Sequence, residues 1–565
     1  MASKRVLIVG GVAGGASCAA RLRRLDEDAE IFIYERGPDV SFANCGLPYY
    51  IGGVIRGRQQ LLVASPERFR DSFRIEVRAR NDVQAIDCQA KTVAIRNVRT
   101  GAMSTDRYDA LVLAPGAAPV RPPLPGIDLP GVFTLRNLED ADGIRSWIDQ
   151  RDVTRAVIVG GGYIGLEMAE NLQKRKLDVT LLEATEQLMP ALDPEMATPL
   201  ADALRRHGVE VRLGAPVTAI EEGADGTLQV IAAGTRYRAG AVILAVGVRP
   251  DVALARQAGL TIGECGGIRV DEQMRTSDPN VYAVGDAAEV RDAVTGEWTL
   301  IPLAGPANRQ GRVAADAICG RPARFRGSQG TAVVGVCDLS AAVTGASEKT
   351  LSRCGRPYAR SYIHSLHHAG YYPGAEPISM KTLFEPDTGR ILGAQAVGRD
   401  GVEKRIDVMA MAIQKKATIW DLEEAELCYA PQYGSAKDPV NIAGFVAANT
   451  LRGDVEVVFW DEYHRRLAAG EPLPTIVDVR SNARVAATGI PGALRIPLGE
   501  LRARLGELPR DEEIWLHCNV GQTSYLACRL LTQHGYRVRN LAGGIASFAQ
   551  WPKPPGNGGA PAEAG

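Results

Sequence analysis

"RAVIVGGGYIGLEMAENLQKRKLDVTLLEA", residues 155–184, decides the fold class of this chain. An apolar run leads into Gly160-x-Gly162-x-x-Gly165, a helical pattern follows, and a second apolar run ends in Glu183. Glycines at this spacing allow a tight turn and a close approach of a pyrophosphate to a helix N-terminus. The acid after the second strand can accept hydrogen bonds from a ribose hydroxyl. The stretch therefore predicts a dinucleotide-binding βαβ unit.

The same design occurs once more, at the start of the chain. "KRVLIVGGVAGGASCAARLRRLDEDAEIFIYER", residues 4–36, keeps Gly10 and Gly15 but has Val12 at the place of the middle glycine, and its second strand ends in Glu35. Two such units, each with its acid at the expected distance, predict two bound dinucleotides. The fold class that follows is α/β, with two Rossmann-like domains.

Three further segments fit this organisation. "YDALVLAPGAAP" (108–119) and "AGAVILAVGVRPD" (239–251) are apolar strands that end in a glycine turn, where a Rossmann-type domain closes around its ligand. "NVYAVGDAAEV" (280–290) brings Asp286 to a turn. An Asp after Gly is also a common turn or helix cap. After two nucleotide units we favour a contact with a flavin ribityl or phosphate group.

Bulk properties narrow the class of protein. With 565 residues the chain is too long for one core, and 65 basic against 66 acidic side chains give no field that favours nucleic acid or an anionic membrane. The sequence begins with a predicted strand. It contains no uninterrupted run of about eighteen apolar residues, so no membrane span is expected. Its ten cysteines show no CxxC or metal-ligand spacing. We therefore expect a cytoplasmic protein with reduced thiols, no metal and no nucleic acid or membrane partner.

Several segments in order resemble the coenzyme A-disulfide reductase branch of the flavin-dependent pyridine nucleotide-disulfide oxidoreductases. The similarity runs from residue 4 to about 447 and is carried by "GGVAGGASCAARLRRL", "SFANCGLPYYIGG", "LAPGA", "GGGYIGLEMAENL", "VYAVGDAAEV" and "CYAPQYGSAKDPVNIAGF". It implies an FAD-binding domain at 1–150 and 250–325, an NAD(H)-binding domain at 151–249, and a dimerisation domain at 326–450 of a homodimer.

The resemblance changes the interpretation of Cys45, in "SFANCGLPYY" (41–50). A free cysteine is most often a small buried hydrophobe. Branches of this family with a redox dithiol have two cysteines about five residues apart, whereas here no cysteine follows Cys45 until Cys88. The resemblance implies that Cys45 cycles alone, as a thiolate and as a mixed disulfide or persulfide with a substrate. A helix N-terminus or nearby positive groups would favour such a thiolate.

The resemblance also implies the other site residues. Those expected to bind FAD are Gly10, Val12, Ala13, Gly14, Gly15, Glu35, Arg36, Asn44, Val83, Ala114, Gly116, Asp286 and Ala304. Those expected to bind the nicotinamide dinucleotide are Gly160, Gly162, Tyr163, Ile164, Gly165, Glu183 and Gly247. Those expected along the coenzyme A path are Ser17, Arg21, Arg24, Ser41, Asn44 and Lys437. A solvated helix face remains the alternative for Arg21, Arg23 and Arg24. Relatives often have a lysine near Phe73, where this chain has Phe73-Arg74.

Two tyrosines match family positions that reach the site from the partner subunit. They are Tyr371 in "HHAGYYPGAEP" and Tyr429 in "CYAPQYG". Either phenol can hydrogen-bond or protonate a leaving thiolate. The alternative is that both are aromatic residues that pack in the subunit interface.

Glu183 bears on the choice of nicotinamide cofactor. A carboxylate at this position can bind two ribose hydroxyls and repels a 2′-phosphate. "LLEATEQ" has no basic residue directly after it. We therefore expect NADH rather than NADPH.

After a linker at 451–469, the last hundred residues contain "VDVR", "IPGA", "LHCNVGQTSYLACRLL" and "LAGGI". These motifs resemble those of a single-domain rhodanese, over 470–553. Cys518 stands between a predicted strand and the helix "TSYLACRLL", in a loop whose backbone N–H groups can hold a thiolate or persulfide. Asp478 in "VDVR" is expected to be structural. Many members have Arg five residues after the cysteine, where this chain has Thr523, so a persulfide carrier is favoured over thiosulfate chemistry. The Pro/Gly-rich tail at 554–565 is expected to be disordered.

These features together predict an FAD-dependent, NADH-linked reductase of persulfides and polysulfides that uses coenzyme A and a fused rhodanese. Two alternatives remain open. One is a coenzyme A-disulfide reductase that serves thiol redox balance. The other belongs to a different class, a sulfur-transfer or sulfide-sensing protein whose flavin reports redox state.

Overall fold

A computed structural model describes residues 3–224, 226–481 and 489–552. The chain divides into two compact units. The first contains Met1–Leu188 and Leu204–Gly330, and the second contains Met189–Ala203 and the residues from Thr331 onward. The tail that the sequence predicts at 554–565 lies outside the described residues.

The first unit contains a five-stranded parallel sheet. Its strands are, in spatial order, β19 (Val281–Ala283), β7 (Ala110–Leu113), β1 (Arg5–Val9), β2 (Glu30–Glu35) and β3 (Ile75–Ala79). Helices α1 (Ala13–Leu25) and α8 (Ala304–Ile318) pack on each other beside it. Because helices cover parallel sheets, the central strands are apolar on both faces, and Leu7, Ile8 and Val112 are fully buried. This is the predicted first βαβ unit.

Smaller elements surround this sheet. They are the strands β4 (Asn81–Asp87), β5 (Thr92–Asn97), β6 (Met103–Arg107), β18 (Ile268–Arg269), β20 (Ala288–Arg291) and β21 (Trp298–Thr299), and the helices α2 (Leu47–Ile51), α3 (Pro66–Phe73) and α7 (Ala253–Gln257). Strands β4, β5 and β6 form an antiparallel sheet, and β18, β20 and β21 form another small sheet.

A second parallel sheet forms around the other glycine fingerprint. Its order is β12 (Glu210–Arg212), β11 (Asp178–Leu182), β10 (Arg155–Val159), β16 (Ala241–Leu244) and β9 (Val132–Thr134). Helices α4 (Leu138–Gln150) and α5 (Tyr163–Lys174) accompany it. An antiparallel sheet of β13 (Val217–Glu222), β14 (Leu228–Ala232) and β15 (Thr235–Ala239) completes this part. A two-stranded ladder of β8 (Ala117–Pro119) and β17 (Val248–Pro250) lies where the chain passes between the two sheets.

The structure corrects the boundary expected at residue 150. Strand β9 pairs in parallel with β16, and the indole of Trp147 on α4 donates to the carbonyl of Gly240. Residues 132–150 therefore belong with the second sheet, because its edge strand comes from this earlier part of the chain. Residues 189–203, which the sequence places in the nucleotide domain, belong with the second unit. They include most of α6 (Pro194–Arg206).

The second unit begins with an antiparallel sheet and its helices. The order is β22 (Ala332–Val336), β23 (Leu339–Gly345), β26 (Ile391–Gly398), β25 (Pro377–Phe384) and β24 (Ala359–Leu366). The helices are α9 (Glu348–Arg353), α10 (Val402–Gln414), α11 (Ile419–Glu423) and α12 (Pro439–Leu451), of which α10 and α12 pack on the sheet.

The C-terminal module has a five-stranded parallel sheet of its own. Its order is β27 (Val457–Val458), β31 (Val538–Leu541), β30 (Ile514–His517), β28 (Thr475–Asp478) and β29 (Leu494–Arg495). The helices are α13 (Trp460–Ala469), α14 (Leu498–Leu501), α15 (Gln522–Gln533) and α16 (Gly544–Gln550). Two apolar clusters cover the two faces of the sheet.

Residues 457–469 are not a linker. Val457 and Val458 pair with Asn540 and Leu541 as the edge strand of the C-terminal sheet. The indole of Trp460, in the first turn of α13, is buried and donates to the carbonyl of Ala542. The charged pattern of this stretch belongs to the outer face of α13, whose inner face packs into the module.

Candidate functional site

Cys45 lies in a short 3₁₀ turn, Asn44–Gly46, directly before α2. Pro48 is the second residue of this helix, where its fixed φ suits the first turn and its missing N–H leaves no helical hydrogen bond unmade. A side chain at Gly46 would lie 2.3 Å from Leu61, so the turn packs closely against the neighbouring loop. The thiol itself is exposed. The local sequence thus places Cys45 at an exposed position in a closely packed turn.

The charged groups that act on Cys45 are acidic. Partial desolvation by the surrounding protein raises the pKa of the Cys45 thiol, and the carboxylates of Glu167 and Asp286 raise it further. A backbone hydrogen bond acts in the opposite direction. The expectation that positive groups favour the thiolate at this position is therefore wrong for the polypeptide, because its nearest charges oppose ionisation.

Glu167 and Tyr49 are functional candidates that the sequence analysis missed. Burial raises the pKa of Glu167 to about 7, and the Tyr49 hydroxyl donates to its Oε1 over 3.4 Å. Burial and the same carboxylate raise the pKa of Tyr49 to about 12. The available signal was an acid inside the apolar "IGLEMA" of the second fingerprint helix.

A cavity of about 640 Å³ opens beside the first glycine turn. Eleven of the predicted FAD residues line it, namely Gly10, Val12, Ala13, Gly14, Glu35, Arg36, Asn44, Val83, Ala114, Gly116 and Asp286. Glu35 accepts hydrogen bonds from the backbone N–H groups of Gly11 and Gly37, which keeps the turn open toward the cavity. A Cβ at Gly10 would lie 2.1 Å from the carbonyl oxygen of Ala114. The size and glycine lining fit an extended dinucleotide.

The other two predicted FAD residues do not line this cavity. Gly15 lies on α1, where a Cβ would lie 2.0 Å from the Gly10 carbonyl oxygen, so it brings the helix against the turn. Ala304 is the first residue of α8. Asp286 sits in the 3₁₀ turn Gly285–Ala287, and burial raises the pKa of its carboxyl group while Arg136 opposes the shift.

The second glycine turn repeats this geometry around Glu183. Its carboxylate is buried and accepts from the N–H of Gly161 at 2.7 Å and the N–H of Thr185 at 2.8 Å. Gly162 precedes α5, and a Cβ there would meet open space, whereas a Cβ at Gly165 would lie 1.9 Å from the Gly160 carbonyl oxygen.

The remaining residues predicted to bind this nucleotide surround the same turn. Tyr163 and Ile164 form the first turn of α5. Gly247 has φ +108° at the end of β16, where its carbonyl accepts from Val120.

Among the residues predicted to bind coenzyme A, some side chains pair with other side chains of the protein and others are exposed. Arg21 pairs with Asp316 at 2.8 Å, and the Ser17 hydroxyl donates to Asn308. Arg24 and Lys437 are exposed. Ser41 has φ +50°, and the exposed Asn44 lies directly before Cys45.

Arg23 does not lie on a solvated helix face. It is buried and donates to the backbone carbonyls of Phe73, Asp26, Glu27, Ala29 and Arg74. For Arg23 the interpretation as a solvated face is therefore wrong, since its charge holds loop backbone together.

The two predicted tyrosines lie together in the second unit. The hydroxyl oxygens of Tyr371 and Tyr429 are 2.8 Å apart, and both rings are exposed, at 76% and 48%. The hydrogen bond from Tyr429 raises the pKa of the Tyr371 hydroxyl. The pair forms a phenol couple on an open surface.

Cys518 begins the loop between β30 and α15, and its side chain is buried. The Ser524 hydroxyl donates to its sulfur at 3.4 Å. Arg480 makes a buried ion pair with Asp478 and reaches Asn519 at 3.5 Å. Asp478 thus orients Arg480, and this contact lowers the pKa of Asp478 against the effect of burial. Thr523 is partly exposed at the start of α15.

A cluster of acids in the second unit has the arrangement of a cation site. Ligand oxygens of Asp193, Glu195 and Glu348 lie within 4.8 Å of one another. The buried ammonium group of Lys381 contacts all three carboxylates. The lysine supplies the charge that such a cluster requires, and its own pKa is raised well above the usual value.

Fold and sites together define a two-dinucleotide oxidoreductase with a fused sulfur-handling module. Residues 4–311 match the pyridine nucleotide-disulphide oxidoreductase family, 331–438 match its dimerisation domain, and 459–550 match the rhodanese-like domain. The chain belongs to the pyridine nucleotide-disulphide oxidoreductase family, and this confirms the predicted family and fold class. The family implies FAD and a nicotinamide cofactor.

The similarity to known proteins covers most of the chain. Coenzyme A disulfide reductase of Staphylococcus haemolyticus is 36% identical over 445 residues, which are 79% of this chain and 99% of that protein. Reduced CoADR-RHD of Bacillus anthracis is 46% identical with a TM-score of 0.94, covering 97% of this chain and 98% of the other. An NAD-dependent persulfide reductase from A. fulgidus is 39% identical with a TM-score of 0.90, covering 96% and 100%. Across the described residues, every helix is too short or too polar to cross a membrane.

Proposed function

We propose that this protein is an FAD-dependent, NADH-linked reductase of persulfides and polysulfides, including coenzyme A persulfide, with a fused rhodanese that carries sulfane sulfur. The observation that carries the proposal is that Cys45 is exposed, has no second cysteine close to it in the sequence, and lies in a turn beside the cavity that fits a dinucleotide. The similarity to a coenzyme A disulfide reductase and to an NAD-dependent persulfide reductase supports the substrate class.

The residues that would hold FAD are those that line the cavity, from the Gly10–Gly14 turn to Asp286. Glu35 is suited to ribose hydroxyls, and the glycine turn to the pyrophosphate. Bound FAD supplies two-electron transfer between a nicotinamide and a sulfur–sulfur bond. Glu183 would orient the ribose of NADH at the second turn and repel the 2′-phosphate of NADPH.

Cys45 carries the sulfur chemistry. Its thiolate attacks the sulfane sulfur of a persulfide R–S–SH, the substrate S–S bond breaks, and the thiol R–SH leaves with a proton. The resulting Cys45 persulfide takes up the two electrons of one NADH and releases hydrosulfide, which restores the thiolate. With coenzyme A disulfide the same attack releases one coenzyme A, and reduction of the mixed disulfide releases the other.

The proton for the leaving thiolate can come from two kinds of group. Glu167 is partly protonated at neutral pH and mostly protonated below it, because burial raises its pKa to about 7. In the homodimer, Tyr371 and Tyr429 would supply a phenol from the partner subunit. Ser17, Arg21, Arg24, Ser41, Asn44 and Lys437 would line the path of coenzyme A, where the cationic members suit its phosphates.

A steady-state comparison of substrates tests the proposal. NADH oxidation by the FAD-loaded protein is measured with glutathione persulfide, coenzyme A persulfide, coenzyme A disulfide and polysulfide, and repeated with NADPH. We expect faster turnover with persulfides than with coenzyme A disulfide. A preference for coenzyme A disulfide would establish the thiol-balance alternative. If none of the four substrates is turned over, the reductase proposal is rejected and the alternative of sulfur transfer or sensing is favoured.

A further inference from the structure

A chain of four side chains connects the C-terminal module to the antiparallel sheet within the second unit. Gln550 on α16 donates through Nε2 to the Ser379 hydroxyl on β25 at 2.7 Å. Ser379 lies 2.8 Å from Nδ1 of His364 on β24, and Nε2 of His364 lies 2.8 Å from the hydroxyl of Ser547 on α16. This series of hydrogen bonds thus begins and ends on the same helix, which fixes both the position and the rotation of α16.

The ring of His364 suits this role as a neutral group. Burial lowers its pKa to about 4, so the imidazole is uncharged near neutral pH. A neutral imidazole has one donor and one acceptor nitrogen, and each faces a hydroxyl that can supply the complementary role. Both hydroxyl-bearing residues, Ser379 and Ser547, are buried, so an unmade bond at either would cost free energy.

A glycine turn transmits this contact toward Cys518. A Cβ at Gly543 would lie 2.9 Å from His364 Nε2, and a Cβ at Gly544 would lie 2.3 Å from the Cys518 carbonyl oxygen. Both glycines have positive φ, at +64° and +59°. The turn is therefore held between the histidine ring on one side and the sulfur-carrier loop on the other, without room for a side chain.

The backbone of α16 also fixes the peptide planes of the carrier loop. Ile545 N–H donates to the Cys518 carbonyl and Ala546 N–H to the Asn519 carbonyl, both at 2.9 Å. A planar trans peptide points its N–H opposite to its carbonyl, so these bonds also aim the N–H groups of Asn519 and Val520 away from α16. Loop N–H groups of this kind are what stabilises a sulfur anion.

We propose that His364 is a positioning residue for Cys518, and that docking on the dimerisation domain holds the sulfur-carrier loop in the shape that accepts and releases sulfane sulfur. The inference rests on the proposed carrier function of Cys518 and names a residue outside the rhodanese-like domain on which that function depends. Displacement of the His364 ring would let the Gly543–Gly544 turn shift, and the carbonyl contacts to Cys518 and Asn519 would shift with it.

The test measures sulfur transfer from glutathione persulfide to cyanide, as thiocyanate formed, in FAD-loaded protein with Cys45→Ser, so that Cys45 takes no part. His364→Leu in this background should lower kcat on the order of tenfold with little change in KM, as expected for a misplaced reacting group. His364→Gln, whose amide can still bond Ser547, should restore most of the rate. With Cys45 intact, His364→Leu should leave NADH-dependent reduction of glutathione persulfide within about twofold, since that reaction uses the other cysteine.

Two further variants separate positioning from a general loss of stability. Ser547→Ala removes the other half of the contact, and combined with His364→Leu it should cause no additional loss, because the two residues act through one bond. Ser361→Ala is the matched control, since this buried hydroxyl on the same strand has no hydrogen-bond partner among the described residues. The control should transfer sulfur at the normal rate. If His364→Leu does not fold, Ser547→Ala decides the question.

Normal transfer in both His364→Leu and Ser547→Ala would overturn the inference, as would an equal loss in Ser361→Ala. Cys518→Ser in the same background distinguishes this failure from that of the proposed function. If Cys518→Ser loses transfer while His364→Leu and Ser547→Ala keep it, the carrier function of Cys518 stands and only the positioning role of His364 is rejected. Normal transfer in Cys518→Ser removes the carrier function and the inference with it.

Discussion

Cys45, the residue proposed to carry the sulfur chemistry, stands among groups that oppose ionisation of its thiol. Cys45 is exposed at the start of α2, yet desolvation and the carboxylates of Glu167 and Asp286 raise the pKa of its thiol. A nucleophilic thiolate therefore requires positive charge from a ligand or a proton on the neighbouring acids. Glu167 can hold such a proton near neutral pH, because its own pKa is about 7.

Cys45→Ser tests the central role of this thiol. A hydroxyl cannot form the sulfur adduct, so reduction of every disulfide or persulfide should fall by on the order of 10³-fold or more. FAD content and dimer mass should be unchanged, since the substitution is nearly isosteric at an exposed site. Steady-state NADH oxidation makes the comparison, and Cys265→Ser, at another exposed cysteine, is the control. Near-normal turnover in Cys45→Ser would reject the mechanism.

Glu167→Gln tests the acidic environment of Cys45. Loss of this charge should lower the pKa of Cys45 and speed its alkylation by iodoacetamide at pH 8 by about threefold. At pH 5 Glu167 is already protonated, so the two forms should react alike. Peptide-resolved mass spectrometry measures the rates.

The same variant has a signature in stability. The folded protein holds Glu167 at a pKa of about 7, above its unfolded value of 4.5, so its ionisation costs stability as pH rises through this window. Glu167→Gln should therefore raise the Tm at pH 8 and leave it unchanged at pH 4.5. A gain that is equal at both values would show that the charge of Glu167 is not responsible.

Glu183 allows a test of cofactor choice. Glu183→Ala should weaken binding of NADH roughly tenfold and reduce its advantage over NADPH, through loss of the ribose contacts and of the repulsion of phosphate. Because the two oxygens of Glu183 also accept from the N–H groups of Gly161 and Thr185, Glu183→Gln is the control that keeps the side-chain size and one of these two acceptors. KM values for both cofactors make the test. A native enzyme that already prefers NADPH would contradict the argument.

At the scale of elements, the two βαβ units show how glycine spacing builds a nucleotide cradle. In both, the third glycine of the fingerprint allows the helix to touch the first glycine's carbonyl, at Gly15 and at Gly165. The middle position has open space at Gly162, and in the first unit Val12 occupies it at the edge of the cavity. At the second turn the middle glycine thus leaves open space for a ligand, whereas in both units the third glycine is required for packing.

Gly165→Ala and Gly162→Ala separate these two requirements. The methyl group at Gly165 collides with the Gly160 carbonyl, so this variant should lose about 1–3 kcal/mol of stability together with NADH binding. Gly162→Ala should keep the normal Tm and lose only affinity for NADH. Thermal unfolding and NADH titration, with FAD absorbance as the check on the other domain, make the measurement. Equal loss of Tm in both variants would contradict the distinction.

At the scale of the whole molecule, one chain contains two cysteines suited to sulfur chemistry in separate modules. The charged stretch before residue 470 is not a tether but strand β27 and helix α13 of the C-terminal module, which docks on the neighbouring sheet through His364, Ser379, Ser547 and Gln550. Within the second unit, this stretch is therefore not a tether on which the C-terminal module could swing.

Cys518→Ser should distinguish small from bulky sulfur donors. Glutathione persulfide reaches Cys45 directly, so its reduction should remain within about twofold of normal, whereas reduction supplied from elemental sulfur or a protein persulfide should slow on the order of tenfold. Cys528→Ala, at a buried cysteine of the same module, is the control. Equal loss on every donor would indicate an obligatory relay through Cys518. Equal retention on every donor would mean that the module is not coupled to reduction, and either result would reject the hypothesis that Cys518 serves bulky donors while small donors bypass it.

Local patterns in the sequence by themselves determined much of this protein. Apolar and helical runs around glycine turns predicted both βαβ units, because these features depend on residues close together in the chain. The chemistry of Cys45 stays a prediction that the family resemblance implies. The predictions of a domain boundary at residue 150 and of a linker at 451–469 were wrong, because both depend on contacts between distant parts of the chain. Strand β9 pairs with β16, and β27 pairs with β31, between segments that lie far apart in the chain.

Only the tertiary structure decided which side chains meet. Glu167 belongs to the second fingerprint helix and acts on Cys45 of the first domain, which lies far earlier in the chain. His364 contacts Ser547 in a module that the sequence treats as independent. Such pairs carry no local signal, since a single acid or histidine in an apolar run has the same appearance whether it packs alone or faces a reactive thiol. Their function follows from burial and proximity, which the packed chain alone establishes.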